Sequence, residues 1–200
     1  MTKIKLCGLR READIEAANR LGPDYIGFVF AEKSRRYVSP EQAAALKARL
    51  DPGILAVGVF ADAPAETVAG LLNRGVVDLA QLHGQEDGAY IARLREMTDK
   101  PLIQAFRIRS REDAEKAEES PADFILLDAG AGDGKTFAWD LAEGVERLWF
   151  LAGGLTPENA AGAAERLRPY ALDVSSGIET DGVKDPEKMR RFVAAVRGRA

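Results

Sequence analysis

Trp149-Phe150-Leu151-Ala152-Gly153-Gly154 and, further on, Ala171-Leu172-Asp173-Val174-Ser175-Ser176-Gly177 are two short apolar runs that break into glycine in the same way. Each run reads as a strand, and each turn leaves backbone N–H groups uncovered where a side chain would otherwise stand, a geometry that holds anions. Glycine also serves strand-to-helix turns for its φ freedom alone. Two matched turns on successive strands favour one phosphate gripped between two loops, the usual position after the seventh and eighth strands of a (β/α)8 barrel. That reading requires six earlier strands.

Working back along the chain, β-rich runs stand at Ile4 to Cys7, Tyr25 to Phe30, Leu55 to Phe60, Leu79 to Leu82, Leu102 to Phe106 and Phe124 to Leu127, with the last two at Leu148 to Ala152 and Ala171 to Val174. Between them lie segments with helix-start signals: Pro40-Glu41-Gln42, Ala63-Pro64-Ala65-Glu66, and Thr156-Pro157-Glu158, where proline takes a first helical position behind a threonine cap. The alternation predicts a parallel sheet with helical crossovers. Eight such units fit a closed barrel or an open doubly wound sheet. Asp24, Asp78 and Asp123 stand just before strands, whereas Cys7, His83 and Asp128 stand just after them. In a barrel the latter share one mouth; in an open sheet they spread along an edge. The expected fold is α/β, a single small (β/α)8 TIM barrel over residues 1–200, with its weakest helix in the segment Gly130 to Gly144.

Composition narrows the function. A hydrophobic content of 46% with no linker-like segment predicts one domain. Lys and Arg number 28 against 32 Asp and Glu, for a net charge of −4, so the concentrated positive face that duplex nucleic acid needs is not expected. One cysteine and one histidine make neither an internal disulfide nor the usual nitrogen and sulfur set of a zinc site, so no metal is expected. The start, Met-Thr-Lys-Ile-Lys-Leu, lacks a signal-peptide apolar stretch, and the longest nearly apolar run, Ile54 to Ala61, is too short to span a bilayer. The expectation is a cytoplasmic protein without a membrane partner.

Cys7 ends the first strand ahead of Gly8-Leu9, which aims its sulfur into the mouth. Alone, such a cysteine is more often inert core. Asp128 follows the apolar Phe124-Ile125-Leu126-Leu127 and is either a turn-former or a functional acid. Placed at one mouth with the phosphate turns, a thiol and a carboxyl suit proton removal at one atom and donation at another. Lys33-Ser34-Arg35-Arg36 after the second strand reads as a solvated loop or as an arginine fork for a substrate carboxylate. His83, in Gln81-Leu82-His83-Gly84, is given a lining role, and Asp173, which shares a strand face with Ser175, is expected to line the site as well. Trp139 and Trp149 read as packing residues. Gly132-Asp133-Gly134-Lys135 lacks the spacing of a P-loop.

Taken together, Ile4-Lys5-Leu6-Cys7-Gly8-Leu9, Lys33 to Ser39, Val57-Gly58-Val59-Phe60, Gln81-Leu82-His83-Gly84, Leu127-Asp128, Leu151-Ala152-Gly153-Gly154-Leu155 and Asp173 to Glu179 resemble, in order and over nearly the whole chain, the phosphoribosylanthranilate isomerases of tryptophan biosynthesis. The resemblance implies a cofactor-free Amadori rearrangement of N-(5-phosphoribosyl)anthranilate in a small (β/α)8 barrel; as to assembly, the expectation is a monomer or homodimer. It implies Asp128 as general acid, Cys7 as general base, and Arg36 as partner of the anthranilate carboxylate, while His83 and Asp173, read above as lining the site, are expected to bind the substrate. It implies Gly153, Gly154, Ser175, Ser176 and Gly177 as the phosphate site. Arg35 replaces a proline usual in the family, and the loop after the acid carries Asp133, a negative charge near an anionic substrate. The rival readings are another phosphosugar isomerase or lyase barrel, and a barrel that binds a phosphorylated ligand without turnover.

Overall fold

Each apolar run pairs in parallel with the next, and the last pairs with the first: Lys3, Ile4, Lys5 and Leu6 lie beside Ala171, Leu172, Asp173 and Val174. That closing ladder decides for the barrel, since an open sheet would leave both strands as unpaired edges. The computed structural model describes residues 1–128 and 139–198. Its elements run β1 (Lys3–Cys7), α1 (Glu12–Leu21), β2 (Tyr25–Val29), α2 (Pro40–Lys47), β3 (Leu55–Phe60), α3 (Ala65–Asn73), β4 (Leu79–Leu82), α4 (Gly88–Arg95), β5 (Leu102–Arg107), α5 (Arg111–Glu118) and β6 (Phe124–Asp128). After a short 3₁₀ turn at Trp139–Ala142 come β7 (Trp149–Ala152), α6 (Ala160–Leu167), β8 (Ala171–Val174), a second 3₁₀ turn at Ser176–Ile178, the hairpin β9 (Glu179–Thr180) and β10 (Val183–Lys184), and α7 (Pro186–Arg197).

The strands fall where the β-rich runs stand in the sequence. Two local expectations change. Helix α6 begins at Ala160 rather than at Pro157, because the Asn159 side chain ties the preceding turn together, accepting from Thr156 N at 2.8 Å and donating to Gly154 O at 2.9 Å. The hairpin β9–β10 has no counterpart in the expected pattern; strands this short carry no readable alternation, and the signal was its turn, Asp181-Gly182, with φ of 53° and 77°. Of the segment expected to hold the weakest helix, residues 130–138 lie outside the described residues, and the described part contains only the 3₁₀ turn.

Strand alternation sorts the core into two. Outward residues such as Ile4, Leu6, Ile26, Phe28, Ile125, Leu127, Leu151 and Leu172 pack against the helices, whereas Tyr25, Val57, Leu79, Ile103, Leu126 and Phe150 fill the barrel. The end where the strands begin is stoppered by aromatic rings: Phe124 stacks with Tyr170 at 5.1 Å, Phe150 touches both at 5.7 and 5.6 Å, and the Tyr25 and Tyr170 hydroxyls lie 2.9 Å apart beneath the Lys3 ammonium. The three aspartates placed before strands serve this end. Asp24, Asp78 and Asp123 accept from the backbone N–H of Ile4, Ala56 and Leu102 at 2.9, 2.7 and 2.7 Å, satisfying donors near the start of a neighbouring strand. Acids before strands therefore hold the frame at this end. No helix among the described residues is long and apolar enough to cross a membrane.

Candidate active site

The inward face of β1 turns polar as it climbs. Lys5 is fully buried, an arrangement that requires a partner for the charge. Its Nζ donates to Asp173 Oδ2 on β8 at 2.7 Å and to Gln81 Oε1 on β4 at 2.8 Å. Burial works to lower the Lys5 pKa, but the Asp173 carboxylate and Cys7 outweigh it and raise it, so the ammonium keeps its charge at neutral pH. Cys7 is the next inward residue, packed among Val29, Val59 and Ala31. Its sulfur fits because Gly27 stands beside it on β2; a Cβ there would lie 2.6 Å from Sγ. Burial pushes the Cys7 thiol up and Asp173 adds to this, while Lys5 and Lys184 act against both.

Asp128 ends β6, two strands round the barrel from β8 and so across the mouth from Cys7. Its Oδ2 lies 3.4 Å from His83 Nε2, and His83 Nδ1 lies 2.8 Å from Gln81 Nε2.

Arg36 reaches the mouth across Gly8, whose φ of +78° and missing side chain allow the passage: a Cβ at Gly8 would sit 2.4 Å from Arg36 Cδ. The guanidinium is held from behind by Glu179, which accepts from Nε at 2.6 Å and Nη2 at 2.9 Å. Glu179 also accepts from Arg35 and from Lys184, each at 2.7 Å. Burial would raise the Glu179 pKa, but the bonds from Arg36 and Lys184 prevail and bring it down to about 2. Three cations therefore share one carboxylate, and the Arg36 edge that carries Nη1 has no partner among the described residues. Arg35 is mostly exposed, outside the mouth; Arg36 lines it.

The two glycine turns meet at the rim. Gly153 and Gly154 adopt φ of 88° and 65°. Gly177 packs so closely on the first turn that a Cβ would lie 1.9 Å from Leu155 O. Lys184 Nζ donates to Ser175 O at 2.8 Å and Ser175 Oγ to Cys7 O at 3.2 Å, tying the second turn to β10 and β1. A cavity of about 370 Å³ results, lined by Cys7, Arg36, His83, Asp128, Asp173, Gly153, Gly154, Ser175 and Ser176, with Gly177 behind them. A larger hollow of about 650 Å³ lies at the other end, among Lys3, Glu165, Arg168 and Tyr170, and holds none of the candidate site residues. The mouth is therefore the candidate site. Trp149 is buried in the core as expected; the side chain of Trp139 lies outside the described residues, as do Asp133 and its loop.

Four residues given no role in the sequence reading are central here: Lys5, Gln81, Glu179 and Lys184. Lys5 had a readable signal, a lysine between Ile4 and Leu6 at an inward strand position. Glu179 and Lys184 had none, since their pairing depends on the short hairpin.

Gly154 gives a clean test of the anion turn. A Cβ there would meet nothing within 4 Å, whereas one at Gly177 would break the packing on Leu155. Gly154→Val is expected to fold, at a cost of about 1–2 kcal/mol for its positive φ, and to lose affinity for phosphorylated ligands by blocking backbone approach. Isothermal titration with inorganic phosphate and a sugar phosphate checks this; unchanged affinity in the folded variant removes the turn from the site.

Comparison with known proteins places this geometry. The family model for N-(5'-phosphoribosyl)anthranilate (PRA) isomerase matches residues 4–195. An N-(5'-phosphoribosyl)anthranilate isomerase of Thermoanaerobacter sp. (strain X514) is 43% identical over 205 residues, covering 99% of each chain. The crystal structure of phosphoribosyl anthranilate isomerase from Thermotoga maritima superposes with a TM-score of 0.89 at 34% identity, over 99% of this chain and 100% of that one. A phosphoribosyl anthranilate isomerase solved with reduced 1-(o-carboxyphenylamino)-1-deoxyribulose 5-phosphate matches over the same shares, with a TM-score of 0.85 at 33% identity.

Proposed function

The chain belongs to the N-(5'-phosphoribosyl)anthranilate isomerase family, and from that premise we propose how its own residues carry the reaction. It isomerises N-(5'-phosphoribosyl)anthranilate to the aminoketose in tryptophan biosynthesis. Asp128 protonates the ribose ring oxygen; the C–O bond opens as the anthranilate nitrogen forms a Schiff base. Cys7, as thiolate, takes the proton from C2, and the electron pair neutralises the nitrogen, giving an enolamine. The enolamine gains a proton at C1 and loses one at O2, so the product is an isomer, and both side chains return to their starting forms once Cys7 gives its proton to solvent and Asp128 takes one up. Each side chain's part is a proton transfer, and the proposal calls on no metal or other cofactor.

The observation that carries this assignment is the buried Lys5 ammonium at the Cys7 end of the cavity, with the Asp128 carboxyl at the other. Cys7 must be ionised while Asp128 is protonated. Between the two titrations the pair holds one proton, and the productive fraction depends on how the protein divides it. Lys5 and Lys184 shift that division toward the thiolate, against burial. Asp173 Oδ1 is buried and accepts no hydrogen bond among the described residues, which suits a sugar hydroxyl. The glycine turns take the phosphate, and the Nη1 edge of Arg36 takes the anthranilate carboxylate. The enzyme works on this small phosphorylated substrate in the cytoplasm, without nucleic acid, as a monomer or homodimer.

The arginine assignment is tested by a paired substitution. Arg36→Met should raise KM by roughly 1.5–3 kcal/mol, the loss of a charge-assisted bond, whereas Arg35→Met should leave it nearly unchanged, because Arg35 is mostly exposed and does not line the cavity, although it shares Glu179 Oε2 with Arg36. Steady-state kinetics on both variants decide it. Damage confined to Arg35→Met would assign the carboxylate to the wrong arginine.

A further inference from the structure

A line of hydrogen-bonding groups crosses the mouth from Asp128 to Lys5 through His83 and Gln81. Asp128 Oδ2 lies 3.4 Å from His83 Nε2, His83 Nδ1 lies 2.8 Å from Gln81 Nε2, and Gln81 Oε1 lies 2.8 Å from Lys5 Nζ. From the lysine end, each link fixes the next. An ammonium only donates, and this one is completely buried, so the Gln81 atom facing it is the carbonyl oxygen. The amide nitrogen of Gln81 then faces His83 and can only donate. Nδ1 must therefore accept, which leaves it without a proton and places the ring hydrogen on Nε2, toward Asp128. Reversing the amide would set its NH₂ against the ammonium, and reversing the imidazole would replace both nitrogen contacts with carbon, so neither flip is available.

We infer that Lys5 and Gln81 are positioning residues that hold His83 as the neutral Nε2–H tautomer against Asp128. The consequence rests on the reading of Asp128 as the general acid. An imidazolium at this distance would favour the ionised carboxylate and oppose its reprotonation between turnovers, whereas a neutral N–H orients Oδ2 without adding a full charge. One buried ammonium thus serves both halves of the mouth. It favours the thiolate of Cys7 directly and, through Gln81, holds the His83 ring that faces the acid in its neutral form.

The sequence contains one histidine, so nitrogen NMR of isotope-labelled protein reads His83 without ambiguity. In the wild-type protein at neutral pH the expected spectrum is a single tautomer with Nε2 protonated, Nδ1 unprotonated, and a coupling across the bond from the Gln81 amide to Nδ1. A protonated Nδ1, or an averaged mixture of tautomers, overturns the inference. Gln81→Glu replaces the donor at Nδ1 by an acceptor while keeping an oxygen for Lys5, so Nδ1 should become protonated and its signal should move accordingly. An unprotonated Nδ1 in the folded variant also overturns it, and if the variant fails to fold the wild-type spectrum decides alone. The tautomer is read without substrate or turnover, so this result stands apart from kinetics on Asp128, which test the acid assignment.

Discussion

Asp128→Asn is expected to lower turnover on the order of 10² to 10⁴-fold, the range for loss of a positioned general acid, with the fold intact. An amide has the shape of the carboxyl but no acidic proton to give the ribose oxygen. Asp128 is half-buried at the rim and outside the barrel packing, so its replacement removes chemistry and leaves the core alone. The loss should fall on kcat more than on KM, because the proton moves only as the ring opens. Steady-state kinetics with a circular dichroism spectrum check it, and turnover within a fewfold of wild type would mean that the ring oxygen receives its proton from another group.

Cys7→Ser should be nearly as damaging as Cys7→Ala, each on the order of 10² to 10⁴-fold in kcat. Serine fits the space that Gly27 leaves and disturbs nothing that a thiol did not already touch. A hydroxyl is, however, far less acidic than a thiol, and the burial that already pushes Cys7 up bears on a serine too. Lys5 and Lys184 favour the thiolate but cannot close so wide a gap. Near-normal kcat in Cys7→Ser would return Cys7 to the role of an ordinary buried strand cysteine and place the base elsewhere in the mouth.

The barrel was legible because its signals are local and repeat. Eight apolar runs, separated by helix starts at Pro40 and Pro64, show the alternation, and the polarity difference between Asp24, Asp78 and Asp123 at one end and Cys7, His83 and Asp128 at the other points to a shared mouth. Closure itself was not local; it depends on the pairing of β1 with β8, which are far apart in sequence. The same limit applies at the site. Cys7, Asp128 and the glycine turns each announce themselves by type and position at a strand end. Lys5, Gln81, Glu179 and Lys184 acquire meaning only from partners on other elements: Lys5 from Asp173 and Gln81, Glu179 from Arg35 and Arg36. Asp173 was expected at the mouth for its polarity. Its use as the counter-ion of a buried lysine became visible only when β1 and β8 were side by side.

The division of labour between Asp128 and Cys7 is tested most directly by substrate carrying deuterium at C2 of the ribose, compared in the two variants. On the proposed assignment Cys7 removes the C2 proton, so Cys7→Ser should show a primary isotope effect on kcat, because that transfer has become limiting. Ring opening precedes it and on the same assignment belongs to Asp128, so Asp128→Asn should show almost none. An isotope effect as large in Asp128→Asn as in Cys7→Ser, or absent from Cys7→Ser, would contradict the assignment of acid and base.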